Sequence, residues 1–181
     1  NLSVLIGKNY NISSNLAPIS RPTFEGEIEF KNVSYKFDGA TQFTLKNLSF
    51  KIPAGQKVAL VGKMGSGKST LSRLIAGICE PSEGAILIDG VDVRQIDPAD
   101  IRKNIGIMLQ DSWLFSGSVR ENIQMGFNEY DDAHLLKICK VAGVDDFVGA
   151  HPKGYDLEIK ERGIGLSGGQ RQTINLARSL I

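Results

Sequence analysis

The chain has 181 residues, 41% of them hydrophobic and 23% charged, with 21 basic side chains against 20 acidic ones. That size and balance suit one globular domain that buries a core without covalent staples. A net charge of +1 leaves no basic footprint for nucleic acid, and no apolar run approaches the ~20 residues that cross a membrane. Twenty glycines point to tight loops. Cys79 and Cys139 lie far apart and outside any metal-spaced cluster, which predicts two buried, reduced thiols of a cytosolic protein. Three Asn-x-Ser triplets match the glycosylation pattern, but in a chain showing no secretory signal they are read as unmodified.

In chain order, residues 1–22 are rich in Asn and Ser, end in Arg-Pro, and read as a linker. "EIEFKNVSYKF" alternates, slips at Lys31-Asn32 and alternates again, predicting a strand with a bulge or two short strands. "LSFKI" is another half-buried strand before a Pro-Ala-Gly turn, and with no helix between them the two should pair antiparallel. "KVALV" (57–61) is a continuous apolar run, predicting a buried parallel strand. A glycine-rich loop follows, then Leu71, Leu74, Ile75 and Ile78 at helical spacing, with Gly77 as terminator. "AILI" (85–88) and "IGIML" (105–109) predict two more short strands, separated by a helix that Asp97-Pro98 starts. Ser118 to Glu121 is a capping box. Asp131 caps a helix carrying Leu135, Ile138, Cys139 and Ala142 and stopped at Gly143, and a final helix starts near Ser167. These elements predict an antiparallel lobe, a parallel α/β core and a helical stretch from about 118 to 150.

The chemistry concentrates in two places. "GKMGSGKS" (62–69) fits G-x-x-x-x-G-K-[ST] between an apolar run and a helix. Its glycines let backbone N–H groups turn inward around phosphate oxygens, and the helix start adds a favourable dipole. Lys68 supplies a point charge for the β- and γ-phosphates, and the Ser69 hydroxyl can ligate Mg²⁺. The second place is "LSGGQRQTINLARSLI" (166–181). Ser167 and Gln170 form a capping box, which leaves Gly168 and Gly169 unexplained, since each costs about 1 kcal/mol relative to Ala in a helix. Two glycines there make sense where another backbone or a phosphate approaches closely.

"LSGGQRQ" resembles the signature sequence of ATP-binding cassette (ABC) transporter ATPases, and both motifs stand in that family's order over about residues 25–181. "DGVDVRQIDPADIRKNIGIMLQD", "LFSGSVRENI" and "HPKGYDLEIKERGIGLSGGQRQ" resemble the exporter branch, most of all the ATPases of bacterial type I secretion systems. The resemblance implies a P-loop NTPase α/β fold with a parallel core, an N-terminal antiparallel β lobe and a helical subdomain at about 112–175, incomplete at its C-terminus. Residues 1–22 would link to a preceding membrane domain, and 23–181 would be a partial nucleotide-binding domain. The implied activity is ATP binding and hydrolysis powering export of a peptide or protein, with ATP and Mg²⁺, at the cytoplasmic face of a bacterial inner membrane. The implied partners are the transmembrane domain of the same transporter and a second nucleotide-binding domain arranged head to tail, with no nucleic acid.

Residue by residue, Gly62, Lys63, Met64, Gly65, Ser66, Gly67, Lys68, Ser69 and Thr70 match the ATP cradle, with Lys68 catalytic. Gln110 matches a glutamine that contacts Mg²⁺ beside Ser69 and serves catalysis. Phe37 matches the aromatic that stacks on adenine; the family usually has tyrosine there, and Tyr35 stands two residues earlier. Leu166, Ser167, Gly168, Gly169 and Gln170 match the signature that binds the ATP of the partner subunit. Glu158, Glu161, Arg162 and Gly163 match the segment that touches the membrane domain in exporters, with Leu157 and Lys160 departing from the usual pattern.

The family's strand ending in Asp-Glu and its later catalytic histidine do not occur after Ile181. Asp89 in "AILIDG" is a decoy, followed by Gly90 and read as a turn; His134 falls on a capped helix and His151-Pro152 in a turn. The expectation is therefore a fragment of a longer ATPase that is inactive alone. A nucleotide-binding, partner-binding module without hydrolysis is the alternative, and a soluble ABC-type ATPase a third.

Overall fold

A computed structural model of the chain describes residues 17–108, 113–125 and 131–181. The chain divides into two units, Asn1–Ile105 and Gly106–Ile181, each with its own core.

The first unit is built on a sheet in the order β2-β1-β3-β4, with β1 Ile28–Tyr35, β2 Leu45–Ile52, β3 Glu83–Ile88 and β4 Val91–Asp92. β1 pairs antiparallel with both β2 and β3, and its register slips against each after Phe30 and Lys31. The slip is where the alternation breaks: Asn32 has φ 50°, and Gly84 faces it. A Cβ on Gly84 would collide with the carbonyl oxygens of Lys31 and Asn32, so only glycine lets β3 approach the bulge. One face of the sheet buries Phe30, Val33, Ile86 and Ile88 against α1 (Lys68–Ile75) and α2 (Pro98–Asn104). α2 starts as its sequence dictates, with the Asp97 carboxylate accepting from Ala99 N–H and Pro98 in the first turn.

Three strand expectations need correction. β3 joins the antiparallel lobe instead of a parallel core, because the Asp89-Gly90 turn folds it straight back on β4. Residues 57–61 and 105–108 pair in no sheet. Val58, Leu60 and Val61 are 53%, 45% and 95% exposed. An unbroken apolar run becomes a buried strand only when strands flank it on both sides, and no described residues take those places.

Asp89 sits in the left-handed region (φ 48°) with Gly90 (φ 81°), the pairing that a tight hairpin turn requires. Its carboxylate accepts from the N–H groups of Glu25, Gly26 and Glu27 at 2.8, 3.0 and 2.8 Å, docking the entry to β1. Asp89→Ala is expected to lower stability by about 2 kcal/mol, measured as a shift of the urea midpoint, since three donors lose a charged acceptor. Just upstream, Ile19 bridges Ile96, the Asp100 carboxylate accepts from Ser20 Oγ and Arg21 N–H, and Asn104 donates to the Pro22 carbonyl. Residues 19–22, the end of the stretch read as a linker, are thus strapped to the unit by one backbone bridge and by the Asp100 and Asn104 side chains, contacts that leave no pattern in the sequence.

The second unit gathers α3 (Val119–Gln124), α4 (Asp132–Ala142), α5 (Asp145–Val148) and α6 (Gly168–Leu180) around Ile123, Leu135, Cys139, Val144 and Ile174. A two-residue pair, β5 (Gly117–Ser118) with β6 (Glu158–Ile159), closes it. The predicted caps form at Ser118–Glu121 and Asp131, and Gly143 ends α4 at φ 79°. Cys139 is fully buried beside Tyr155, whose hydroxyl donates to Asp145. Burial pushes the Cys139 thiol up to about 11, so only about one in a thousand is ionised at pH 8. Disulfide-exchange reagent at pH 8 is therefore expected to titrate Cys79 in the native chain and Cys139 only in denaturant; prompt reaction of both thiols would contradict the burial of Cys139.

Candidate functional site

Two helix starts carry the residues singled out in the sequence, one in each unit. The first is the loop 62–67 running into α1. Gly65 and Gly67 lie in the left-handed region at φ 80° and 87°, the backbone conformation from which anion-cradling turns are built. Gly67 is also sterically required, since a Cβ there would stand 2.5 Å from Leu45 Cδ2 and 3.4 Å from the Thr44 carbonyl oxygen. It is the N-cap of α1, and no side chain caps the helix. The first turn of α1 also carries no acidic side chain. Such a start offers its N–H groups and positive dipole end to an outside anion.

Lys68 folds back over the loop, its ammonium donating to the carbonyls of Gly62 and Lys63 at 2.8 and 2.7 Å and to Ser66 Oγ at 3.3 Å. The charge therefore sits within the turn of the loop, where it can exchange carbonyl partners for phosphate oxygens. Lys63, Met64 and Ser69 are exposed and Thr70 is buried against the core. Among the described residues no three His, Cys, Asp or Glu side chains are gathered as a metal cage. Mg²⁺ commonly takes most of its oxygens from nucleotide phosphates and water, so the exposed Ser69 hydroxyl fits as a protein share. Gln110 lies outside the described residues.

Phe37 and Tyr35 meet edge to face, centroids 5.1 Å apart. Tyr35 turns to Cys79, and burial first, then that hydrogen bond, push its hydroxyl up to about 12. Phe37 is 43% exposed.

The second start is that of α6. Ser167 Oγ accepts from Gln170 N–H at 3.2 Å, and Gln170 Oε1 accepts from Ser167 N–H at 2.8 Å, so the predicted capping box forms. Its bonds use neither glycine N–H. A Cβ on Gly168 or Gly169 would find nothing closer than 4.0 and 3.9 Å respectively. Among the described residues no backbone crowds the pair. Leu166 packs on the core, and its carbonyl accepts from Arg171 at 2.8 Å.

Glu158, Glu161 and Arg162 are exposed, and Gly163 is buried at φ 70° beneath the Arg171 side chain. The decoys are engaged as the sequence suggests: Asp89 in its turn, His151 accepting from Lys153 N–H, His134 in the first turn of α4. Sequence reasoning missed Asn122 and Arg178, a buried amide and a guanidinium that meet across 56 residues. No local pattern signals such a pair.

The ABC transporter family model matches residues 45–181. Among curated proteins, the chain is 44% identical over 163 residues to the uncharacterized ABC transporter ATP-binding protein YfiC of Bacillus subtilis, covering 90% of this chain and 27% of that one. It is 38% identical to the leukotoxin export ATP-binding protein LtxB of Aggregatibacter actinomycetemcomitans (96% and 24% covered) and 41% identical to the cyclolysin secretion/processing ATP-binding protein CyaB of Bordetella pertussis (88% and 22%). The chain thus spans about a quarter of the length of these relatives. Among solved structures, a bacterial Atm1-family ABC exporter with ATP bound aligns with a TM-score of 0.87 at 37% identity, over 98% of this chain and 31% of that one.

Proposed function

Because the chain belongs to the ABC transporter family and has its P-loop α/β ATPase fold, we propose that it is the ATP-binding and ATP-hydrolysing part of an exporter that moves a peptide or protein. The observation that carries this reading is the start of α1, where a helix without a side-chain cap meets a left-handed glycine turn filled by the Lys68 ammonium. Relatives named for toxin export and secretion support the choice of cargo class.

In this reading the loop 62–69 holds the phosphates, Ser69 and Gln110 hold Mg²⁺, and Phe37 stacks on the base. Mg²⁺ would supply charge neutralisation between the β- and γ-phosphates. Ser167, Gly169 and Gln170 of a second copy close over the γ-phosphate, so hydrolysis is a property of a head-to-tail dimer. Residues 158–163 face the transmembrane domain of the same transporter, at the cytoplasmic face of the bacterial inner membrane. The 181-residue chain by itself binds nucleotide without turning it over, since its decoy carboxylate and histidine are committed to turns.

The test is phosphate release from Mg-ATP by the full-length protein in lipid, beside nucleotide binding by the 181-residue chain. Binding with turnover in the full-length protein is the expected result. Binding in both without turnover in either would replace this reading with that of a nucleotide-binding module, and turnover by the short chain at the full-length rate would remove the dimer from the account.

A further inference from the structure

In the second unit, the segment 113–115 is held from two directions. Trp113 and Phe115 are 54% and 55% exposed, yet the Leu114 side chain between them is buried. From one side Arg162 donates its N–H to the Leu114 carbonyl at 2.9 Å and lays its guanidinium 4.2 Å over the Trp113 ring. From the other side comes Arg178, in the last turn of α6. It donates to the Trp113 carbonyl at 2.9 Å, the Asn122 carbonyl at 2.8 Å and Asn122 Oδ1 at 3.1 Å, and stands 5.5 Å from the Phe115 ring. Asn122 completes the clamp: Oδ1 also accepts from Phe115 N–H, while Nδ2 donates to the carbonyls of Phe115 and Ser118. All four hydrogen-bonding positions of this buried amide are filled.

A half-buried guanidinium with neutral amide oxygens as its acceptors is expensive to desolvate, and Coulomb attraction to a carboxylate does not offset that cost here. What it provides is direction. The planar fork reaches two carbonyls and an amide at once, which a lysine point charge cannot do. Arg178 lies on the same helix whose start presents Gly168 and Gly169, about 15 Å away along the axis. Near that start, Arg171 packs on Gly163 and bonds the Leu166 carbonyl.

We propose that Arg178 is a positioning residue for nucleotide hydrolysis, locking the exposed Trp113–Phe115 segment to α6 so that this surface and the glycine-bearing helix start move as one body. This rests on the hydrolytic reading above. Arg178 is bonded to the Trp113 and Asn122 carbonyls and the Asn122 amide and stands apart in sequence from the loop 62–69 and the glycine pair, so its loss is expected to leave ATP affinity alone and to mis-set the helix start.

The test compares Arg178→Lys with the wild type in the full-length protein. The expected result is a kcat lowered about tenfold with KM for ATP within twofold, a coupling of ordinary allosteric size. Asn122→Asp, which removes the donor to Phe115 and Ser118, should give the same kcat-specific loss. An unchanged kcat, or a KM that rises in proportion, overturns the proposal. Should both variants fail to fold, the wild type still decides: amides of 113–116 and 175–180 must gain exchange protection together on adding ATP, and protection of α6 alone overturns it. A wild type that hydrolyses no ATP defeats the functional reading, whereas a hydrolysing wild type matched by Arg178→Lys defeats only this inference.

Discussion

Lys68→Ala is expected to cut ATP turnover by the full-length protein on the order of 10²–10³-fold, the size of effect seen when a preorganised donor to developing charge is removed. Two losses combine. The ammonium is the positive charge poised inside the glycine loop, and it also bridges the Gly62 and Lys63 carbonyls and Ser66 Oγ, so the loop loses its internal tie. Nucleotide affinity should fall less than turnover, because the backbone N–H groups and the helix start of α1 remain. Lys68→Arg is not expected to rescue, since the fork is too wide for a point charge's place. Phosphate release and calorimetric titration measure the two effects separately. Turnover within threefold of the wild type would remove Lys68 from the chemistry.

The second large effect has opposite signs in two measurements. Gly169→Ala should stabilise the 181-residue chain, because it removes a helical glycine at a place where a Cβ stands 3.9 Å from its nearest neighbour, Ser167 Oγ. The gain is up to about 1 kcal/mol, or roughly 2–4 °C in Tm for a chain of this size. In the full-length protein the same methyl should lower turnover by about 10²-fold, by keeping a phosphate from the backbone of the helix start. A glycine kept against its own stability cost marks a functional demand. Lower Tm together with lower turnover would instead make Gly169 a structural residue, and unchanged turnover would leave the glycine pair without a ligand.

The local elements were legible because their causes are local. Asp97-Pro98, the Ser118–Glu121 box, Asp131 and the Ser167–Gln170 box each form the cap that their spacing announces, since cap donor and acceptor are two or three residues apart. The slip at Lys31-Asn32 announced the bulge in β1 for a similar reason, although Gly84, which accommodates it from 52 residues away, was not foreseen. The left-handed glycine turn at 65–67 and the helix start at Lys68 were legible because glycine and lysine at fixed spacing encode a backbone shape directly.

Where a residue's state depends on distant neighbours, the sequence was silent or misleading. "KVALV" has the composition of a buried parallel strand, but among the described residues no strand lies beside it and Val58, Leu60 and Val61 are exposed, because burial is granted by flanking strands and not by the run itself. Phe37 was singled out by resemblance, with Tyr35 two residues earlier; their burial was not legible, since it is contact with Cys79, 44 residues on, that engages Tyr35, while Phe37 stays exposed. Asn122 and Arg178 carry no local pattern that pairs them, and only folding brings the Arg178 guanidinium to the Asn122 amide oxygen and to the carbonyls of Asn122 and Trp113. The sequence by itself determined the caps, the turns, the two glycine-bearing helix starts and the family. The tertiary structure decided which apolar runs are buried, which of Tyr35 and Phe37 is the more exposed and which carbonyls Arg178 reaches, because burial and long-range hydrogen bonds are properties of the packed chain rather than of any window along it.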